Sequence, residues 1–401
     1  MAPKLEIDRL SKVYGDHPDQ ALRLIGEGAS PKDVFARTSQ VVAVSDVSFA
    51  VDEGEIFTIM GLSGSGKSTL VRCINRIIEP SAGRIVIDDE DVLAMSRARL
   101  RELRRRKVAM VFQNFALLPH RTVLENVEFG LMIRGEDIAA RRRRCDAALA
   151  QVGLSEWAAR YPDNLSGGMK QRVGLARALA SDPDVLLMDE PFSALDPLIR
   201  SELQLELLRL QRTIRKTIVF ITHDFHEAVR LSDHLAVMRE GSFVQVGSPH
   251  DIVLDPADDY VATFARDLDR SKLLTAGDVA TRRIPIIAAD VGPEAMREQV
   301  TRSGAPYAVL IDAAGRPSGY VSRDELGATL RRREVRSLPA ATPLPDMYAA
   351  LGANAPVAIV ADDGTAIGAV DASDVIRRLS EPARAASASI GGVAGHSVRP
   401  S

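Results

Sequence analysis

From Glu55 to Ile78 the chain passes from a β-like run, Glu55-Ile56-Phe57-Thr58-Ile59-Met60, through Gly61-Leu62-Ser63-Gly64-Ser65-Gly66-Lys67-Ser68-Thr69, into the amphipathic helical pattern Leu70 to Ile78. A G-x-x-x-x-G-K-[ST] loop between a strand and a helix constrains the fold more than any other feature. Its glycines let backbone N–H groups converge on phosphate oxygens, and the helix start adds the positive end of its dipole. The competing reading is a Gly/Ser turn without a ligand; the strand before and the helix after argue for a nucleoside triphosphate cradle. Within it, Lys67 supplies a mobile charge for the β- and γ-phosphates, the Ser68 hydroxyl suits the octahedral shell of Mg²⁺, and Thr69 lies next to the α-phosphate.

At 401 residues the chain is long enough for two or three domains, and 46% hydrophobic with 26% charged residues is an ordinary globular balance. A net charge of −3 gives no overall bias toward nucleic acid. Cys73 and Cys145 are the only cysteines, and the first follows the phosphate loop on its helix, so packing is expected rather than a bridge or a metal site. The sequence has no run of about 18 apolar residues, and Met1 to Glu6 lacks the apolar core of a signal peptide, so membrane association is expected through a partner.

Asp184-Val185-Leu186-Leu187-Met188-Asp189-Glu190 reads as a buried parallel strand that delivers two acids at its C-terminal end, where open α/β sheets gather their chemistry. Asp189 is then the acid that holds Mg²⁺, and Glu190 the one that polarises the attacking water. Between the two motifs lies Leu165-Ser166-Gly167-Gly168-Met169-Lys170-Gln171-Arg172, ahead of a helical pattern with Val173, Leu175, Ala176, Ala178 and Leu179. Ser166 is expected to cap that helix while Gly167 and Gly168 expose backbone N–H groups, a second anion-binding helix start about a hundred residues from the first. Alone, this segment reads equally as an ordinary capped helix after a turn.

The ordered set resembles the ATP-binding cassette (ABC) ATPases over residues 4 to about 268. The resemblance implies that Tyr14 stacks on adenine, that Gln113 is the Q-loop glutamine and a ligand of Mg²⁺, and that Leu165 to Met169 is the signature. It likewise makes Ser193-Ala194-Leu195-Asp196 the D-loop and His223 the switch histidine that contacts the γ-phosphate. Since the chain has one phosphate loop and one signature, hydrolysis on this pattern needs a second copy in a head-to-tail dimer. Lys67, Mg²⁺, His223 and the partner subunit's Ser166 would then surround the transferring phosphoryl group. Met169 departs from the commonest signature, which has glutamine there.

A closer resemblance is to the ATPase subunits of glycine betaine/proline-type osmoprotectant importers. Met1 to Leu5, the phosphate-loop region through Asn75-Arg76, Val111-Phe112-Gln113-Asn114-Phe115-Ala116-Leu117-Leu118-Pro119-His120 and Phe192 to Arg200 carry it. An insertion from about Gly15 to Gln40, with Leu22, Leu24, Ile25, Val34 and Phe35, reads as one or two short packed helices. The resemblance implies two transmembrane permease subunits, a periplasmic or lipid-anchored substrate-binding protein reached through them, and a peripheral position on the cytoplasmic face of the plasma membrane. Phe115, Leu117, Leu118 and Pro119 form an apolar patch suited to docking the permease, against the alternative of core packing. The runs Arg104-Arg105-Arg106-Lys107 and Arg141-Arg142-Arg143-Arg144 read as solvated helix faces, with contact to anionic lipid as the other reading. A DNA-repair or translation ATPase would carry a coiled-coil or zinc insertion, or two cassettes, none of which is present. Intact Lys67, Asp189, Glu190 and His223 argue against an inert scaffold.

After Asp269 two stretches echo each other about 50 residues apart: Tyr307 to Asp312 with Gly319 to Leu326, and Val357 to Val360 with Gly368 to Val375. Each reads as strand, turn, Gly-led strand and helix, and resembles a tandem pair of cystathionine-β-synthase (CBS) repeats, a regulatory module. By that resemblance Ser322 with Glu325 matches a ribose-binding pair, whereas Asp371 replaces the hydroxyl that would precede Asp374, so the second repeat departs from the pattern. Arg331-Arg332-Arg333 and Arg336 suggest either solvated charge or a salt-sensitive contact with anionic membrane. The expected fold is thus an α/β ABC-type nucleotide-binding domain over 1–268 with a helical subdomain at about 114–180, a smaller α/β CBS-like domain over 272–380, and a disordered tail over 381–401.

Overall fold

The computed structural model describes residues 2–380 apart from 114, 194, 267, 326–330 and 353–354, with the backbone alone at 210 and 214. Met1, Asn114, Ala194, Leu326 and the tail from 381 therefore lie outside the described residues. The chain divides into two compact units, one ending at Ala265 and the other beginning at Arg266.

In the first unit, β1 (Leu5–Tyr14), β2 (Val41–Val51), β4 (Ala82–Ile87) and the short β5 (Glu90–Asp91) form an antiparallel sheet in the order β2-β1-β4-β5. A second, six-stranded sheet contains β3 (Ile56–Met60), β6 (Val108–Val111), β7 (Val185–Asp189), β8 (Thr217–Thr222), β9 (His234–Arg239) and β10 (Ser242–Gly247). Its order is β10-β9-β3-β8-β7-β6, parallel except for β10. The central strands β3, β7 and β8 are buried at every position because both faces are covered. Alternate residues serve opposite cores: Phe57, Ile59, Leu187 and Val219 pack with the antiparallel sheet, where Phe49 stacks on Phe57 at 4.6 Å between ring centroids. Ile56, Leu186, Met188 and Phe220 join the core built by the helical region on the other side.

That helical region contains α5 (Val123–Arg134), α6 (Ile138–Gln151) and α7 (Gly167–Ala180). The insertion after Tyr14 is two helices, α1 (Pro18–Gly26) and α2 (Pro31–Thr38), with Ala21 and Val34 packed on Val13 and Val42. Ser30 and Asp33 form a reciprocal cap at the start of α2. Phe35, read from the pattern as packed, is instead exposed. The remaining helices are α3 (Lys67–Ile74), α4 (Arg97–Arg106), α8 (Pro197–Ile214), α9 (Phe225–Leu231), α10 (Pro249–Leu254) and α11 (Asp259–Ala265). Cys73 and Cys145 lie in different cores, and burial pushes both thiols up to about 12.

The second unit contains two three-stranded sheets of the same design. β11 (Ile286–Ala288) runs parallel to β12 (Tyr307–Ile311), which pairs antiparallel with β13 (Pro317–Ser322). β14 (Arg336–Pro339), β15 (Val357–Val360) and β16 (Ala366–Val370) repeat this, and a register shift falls at Leu310/Ile311 in one sheet and at Ile359/Val360 in the other. Short helices α12 (Ala276–Val279), α13 (Pro293–Ser303), α14 (Leu344–Met347) and α15 (Ala372–Ser380) complete the unit. β12 alternates between two cores, with Ala308 and Leu310 toward Met296 and Val300 of α13, and Val309 toward Ala358 and Ala369 of the other repeat. Among the described residues, no helix in either unit is long and apolar enough to cross a membrane.

Candidate active site

The C-terminal ends of three adjacent parallel strands bring the chemistry together. β3 pairs with β8 at Met60↔Thr222, and β8 pairs with β7 at Ile221↔Asp189. The loop after Met60, the acids Asp189-Glu190 and His223 therefore leave the sheet side by side, as open α/β sheets dispose their ligand sites.

The loop Gly61 to Gly66 is shaped by its glycines. A Cβ on Gly61 would stand 2.2 Å from the Met238 carbonyl oxygen, and one on Gly66, whose φ is +105°, would stand 2.1 Å from that of Ala43. Ser65 is buried and its carbonyl accepts from Gly241 N–H at 3.0 Å, which ties the loop to the turn between β9 and β10. Gly66 caps α3 without a side-chain hydrogen bond, so the first N–H groups of that helix face the loop's interior with their dipole. Lys67 is 4% exposed, and its ammonium donates to the carbonyls of Gly61 at 2.8 Å and Leu62 at 2.9 Å. Burial holds its pKa below the usual lysine range, against the pull of Glu190 and Asp189. Ser63 and Gly64 form the exposed lip of the loop, and Thr69 follows on α3.

Asp189 is fully buried, and its two oxygens are divided between two donors. Ser68 Oγ donates to Oδ1 at 2.9 Å and the Arg72 guanidinium to Oδ2 at 3.0 Å. Sequence reading missed Arg72. Its signal was the i, i+4 spacing from Ser68, which sets both on one face of α3. The Ser68 and Asp189 pair is a set of hard oxygen donors of the kind Mg²⁺ takes.

Glu190 adopts φ +45°, a left-handed turn that a glutamate rarely takes, with its N–H bonded to the Ile221 carbonyl at 3.1 Å. Its Oε2 meets His223 Nδ1 at 3.1 Å and the Gln113 amide at 3.3 Å. The same amide lies 3.4 Å from Ser193 Oγ, a contact not foreseen from the motifs. Gln113 thus contacts Glu190 and Ser193, whereas Ser68 and Asp189 contact each other. Tyr14 ends β1 with its ring partly exposed and the Lys12 ammonium 5.0 Å from the ring centroid.

At the signature, Ser166 Oγ accepts from Met169 N–H at 3.3 Å and so caps α7. Gly167 is exposed, but Gly168 is not. It is buried beneath α8, where an added Cβ would stand 2.5 Å from Ile199 Cγ2, so its missing side chain permits helix–helix approach. Met169 packs against the helical core, which explains how an apolar side chain fits at that position. Asp196 caps α8, accepting from Leu198 and Ile199 N–H groups at 3.2 and 3.1 Å.

The arginine runs lie largely at the surface, with Arg104, Arg105, Arg106, Arg142 and Arg143 exposed, and several of them hold partners there. Arg104 donates to the Asn75 and Arg76 carbonyls, Lys107 pairs with Asp88 at 2.7 Å, Arg142 with Glu128 at 3.1 Å, and Arg144 with Glu136 at 3.2 Å. In the apolar patch, Leu117 packs on the core while Phe115 and Leu118 are half-buried. A groove of about 330 Å³ is lined instead by Ile77, Met110, Phe112, Ile133, Arg105 and Arg177. In the second unit, Arg332 and Arg336 donate to the carbonyls of Ala289 and Ala349. Asp374 is buried, accepts from Asp371 N–H, and pairs with Arg377 at 2.5 Å and Arg283 at 3.6 Å. Burial raises its pKa, with the neighbouring Asp371 charge adding to the shift.

A phosphate loop, a buried acid beside its serine, and a glutamate paired with a histidine define a nucleotide-hydrolysing cassette. The family model described as ABC transporter matches residues 44–193. The chain is 46% identical over 393 residues to the glycine betaine/proline betaine transport system ATP-binding protein ProV of Escherichia coli, covering 94% of this chain and 98% of that one. It is 44% identical to the glycine betaine transport ATP-binding protein OpuAA of Bacillus subtilis, covering 89% and 88% respectively. A dimeric ATP-binding cassette, MJ0796, in a post-hydrolysis state bound to ADP and Pi, superposes with a TM-score of 0.53 at 30% identity, covering 61% of this chain and 98% of that one. The chain belongs to the ABC transporter ATP-binding proteins, and it is an ATPase.

Proposed function

We propose that this ATPase powers uptake of glycine betaine, proline betaine or a related osmoprotectant through two permease subunits, as a peripheral protein on the cytoplasmic face of the plasma membrane. The observation that carries the reading is the similarity to betaine transport ATP-binding proteins across nearly the whole chain, second unit included. The solute does not touch this subunit, so its chemistry enters through those relatives alone.

Hydrolysis uses groups already close together. The N–H groups of Gly64, Ser65, Gly66 and Lys67 hold the phosphates at the start of α3, and the Lys67 ammonium exchanges the Gly61 and Leu62 carbonyls for phosphate oxygens. Ser68 and Asp189 would hold Mg²⁺, joined by Gln113 once its amide leaves Glu190 and Ser193, and the ion would supply positive charge beside the phosphates. Glu190 polarises the attacking water, His223 meets the γ-phosphate, and Tyr14 stacks on adenine. A second copy in head-to-tail orientation supplies Ser166 and Gly167 of the partner subunit to close the site, with Asp196 at the contact between copies.

The groove lined by Ile77, Phe112 and Ile133 suits an apolar segment of the permease, with Arg105 at its rim for an acidic residue. The second unit is read as a tandem CBS-like regulator. The bonds of Asp374 to Arg377 and Arg283 argue against its use for a ribose in the second repeat, so the readings are ionic strength or membrane charge as the signal, or a nucleotide held by Ser322 and Glu325 of the first repeat.

The test is the ATPase rate of the assembled transporter in anionic-lipid vesicles across ionic strength, with and without betaine-loaded binding protein, and with choline and carnitine in competition. A rate that rises with both salt and loaded binding protein is expected. Hydrolysis indifferent to both would remove the substrate and the gating while leaving the ATPase.

A further inference from the structure

Glu227 is a buried carboxylate that the hydrolysis chemistry above does not use. It lies on α9 one turn after His223 and is 5% exposed. The Thr222 hydroxyl donates to its Oε2 at 2.7 Å, the Gln204 amide to its Oε1 at 3.0 Å, and the Arg200 guanidinium stands 3.6 Å from Oε1. Thr222 is the last residue of β8 and immediately precedes His223, and its Oγ also accepts from Asp224 N–H at 3.0 Å. Arg200, in the first turn of α8, pairs with Asp224 at 3.2 Å and donates to the Leu195 carbonyl at 3.2 Å. A continuous path therefore runs from Leu195, through Arg200, to Asp224 and Glu227, and through Thr222 to the backbone of His223.

Glu227 is buried while Arg200 is partly exposed and faces it as an ion pair at 3.6 Å. Such a pair is weak evidence of stability, because desolvation offsets the attraction, but the hydrogen bonds of Glu227 to Thr222 and Gln204 and of Arg200 to Asp224 and Leu195 hold both in one geometry. Both ends of this network reach the site. The loop before α8 holds Ser193 at 3.4 Å from the Gln113 amide, and His223 Nδ1 sits 3.1 Å from Glu190. We propose that Glu227 and Arg200 are positioning residues that tie the loop ending at Leu195-Asp196 to His223, so that displacing the loop moves the histidine relative to Glu190. On the two-copy reading above, the partner subunit meets that loop, and the tie then makes placement of His223 respond to dimer closure.

The test is steady-state ATP hydrolysis by the full chain carrying Glu227→Gln, Arg200→Gln or both. Glu227→Gln keeps the shape and an acceptor for Thr222 but removes the charge facing Arg200. Each single variant is expected to lose about tenfold in kcat with the ATP KM changed less than about twofold, and the double variant to lose no more than either single one. An unchanged kcat, losses that multiply in the double variant, or a loss explained by a lower folded fraction in a parallel melting curve would overturn the proposal. The Glu190→Gln protein, run on size exclusion with ATP with and without Glu227→Gln, separates the two readings. A dimer kept in both supports positioning, and one lost only with Glu227→Gln overturns it. Absence of any dimer sinks the two-copy reading alone, and the kcat comparison still decides the tie.

Discussion

Two pairs of acids follow apolar strands in this chain, Asp189-Glu190 after β7 and Asp371 with Asp374 after β16, and their surroundings differ in kind. Around the first pair, partners arrive from four separate places: Ser68 and Arg72 from α3, Gln113 from the loop after β6, Ser193, whose hydroxyl donates to the Glu190 backbone carbonyl, from the loop before α8, and His223 from the loop after β8. Around the second, Asp371 accepts from Ser373 and from the Asp374 N–H on the same helix start, and Asp374 accepts from Asp371 N–H and pairs with Arg377 and Arg283. Paired carboxylates alone do not make an active site. What distinguishes the cassette is that distant segments aim at one point, while in the second unit the acids mostly cap their own helix.

Substitutions can break or sharpen this contrast. The largest effect is expected for Glu190→Gln, which should lower kcat by a factor of about 10² to 10⁴ while ATP binding persists, measured as phosphate release beside nucleotide titration. Normal turnover there would reduce Glu190 to the status of Asp374. Lys67→Ala removes a charge-assisted hydrogen-bonding group and should weaken ATP binding by roughly 10- to 100-fold, read by titration with a fluorescent nucleotide.

Gly66→Ala places a Cβ against the Ala43 carbonyl at a positive φ, and should cost about 2 kcal/mol or more, seen as a lower melting temperature of the first unit. A smaller effect is expected for Asp374→Asn, about 1 kcal/mol in the melting of the second unit with ATPase kcat held within about twofold. Its pH dependence has a definite sign. Because burial raises the Asp374 pKa above the unfolded value, the native state holds the proton more tightly, so its contribution to stability falls as pH rises from the ordinary carboxylate range through the raised pKa. Asparagine should remove that slope. Truncation after Asp269 should have the least effect on basal hydrolysis while changing its response to salt in the assembled transporter. An unchanged response would leave the second unit without the regulatory role proposed for it.

Much of the cassette was legible because its motifs are local. A glycine at φ +105°, a lysine at the first helical position and two acids at a strand end are dictated by neighbours in sequence, and the strands β3 and β7 fall within the runs that predicted them. The repeat in the second unit was legible because two similar stretches recur about 50 residues apart, and the structure gives their strand pairs the same register shift. Residues whose role depends on a distant partner were misread or missed. Phe35 was expected inside but is exposed, the packing of Gly168 under Ile199 was not foreseen, and neither was the bond of Arg72 to Asp189. Composition and periodicity describe a helix face without saying what covers it.

By itself the sequence determined that a phosphate cradle opens α3, that two acids stand at the end of β7 and just after it, and that α7 begins with a serine cap, because each of these follows from bonds within a few residues, and it showed a repeat near the C-terminus because similar stretches recur. Only the tertiary structure decided that Asp189 is divided between Ser68 and Arg72, that Glu190 faces His223 and Gln113, and that Asp374 is occupied by arginines. Those contacts join segments up to 121 residues apart, and strand order alone brings their ends together.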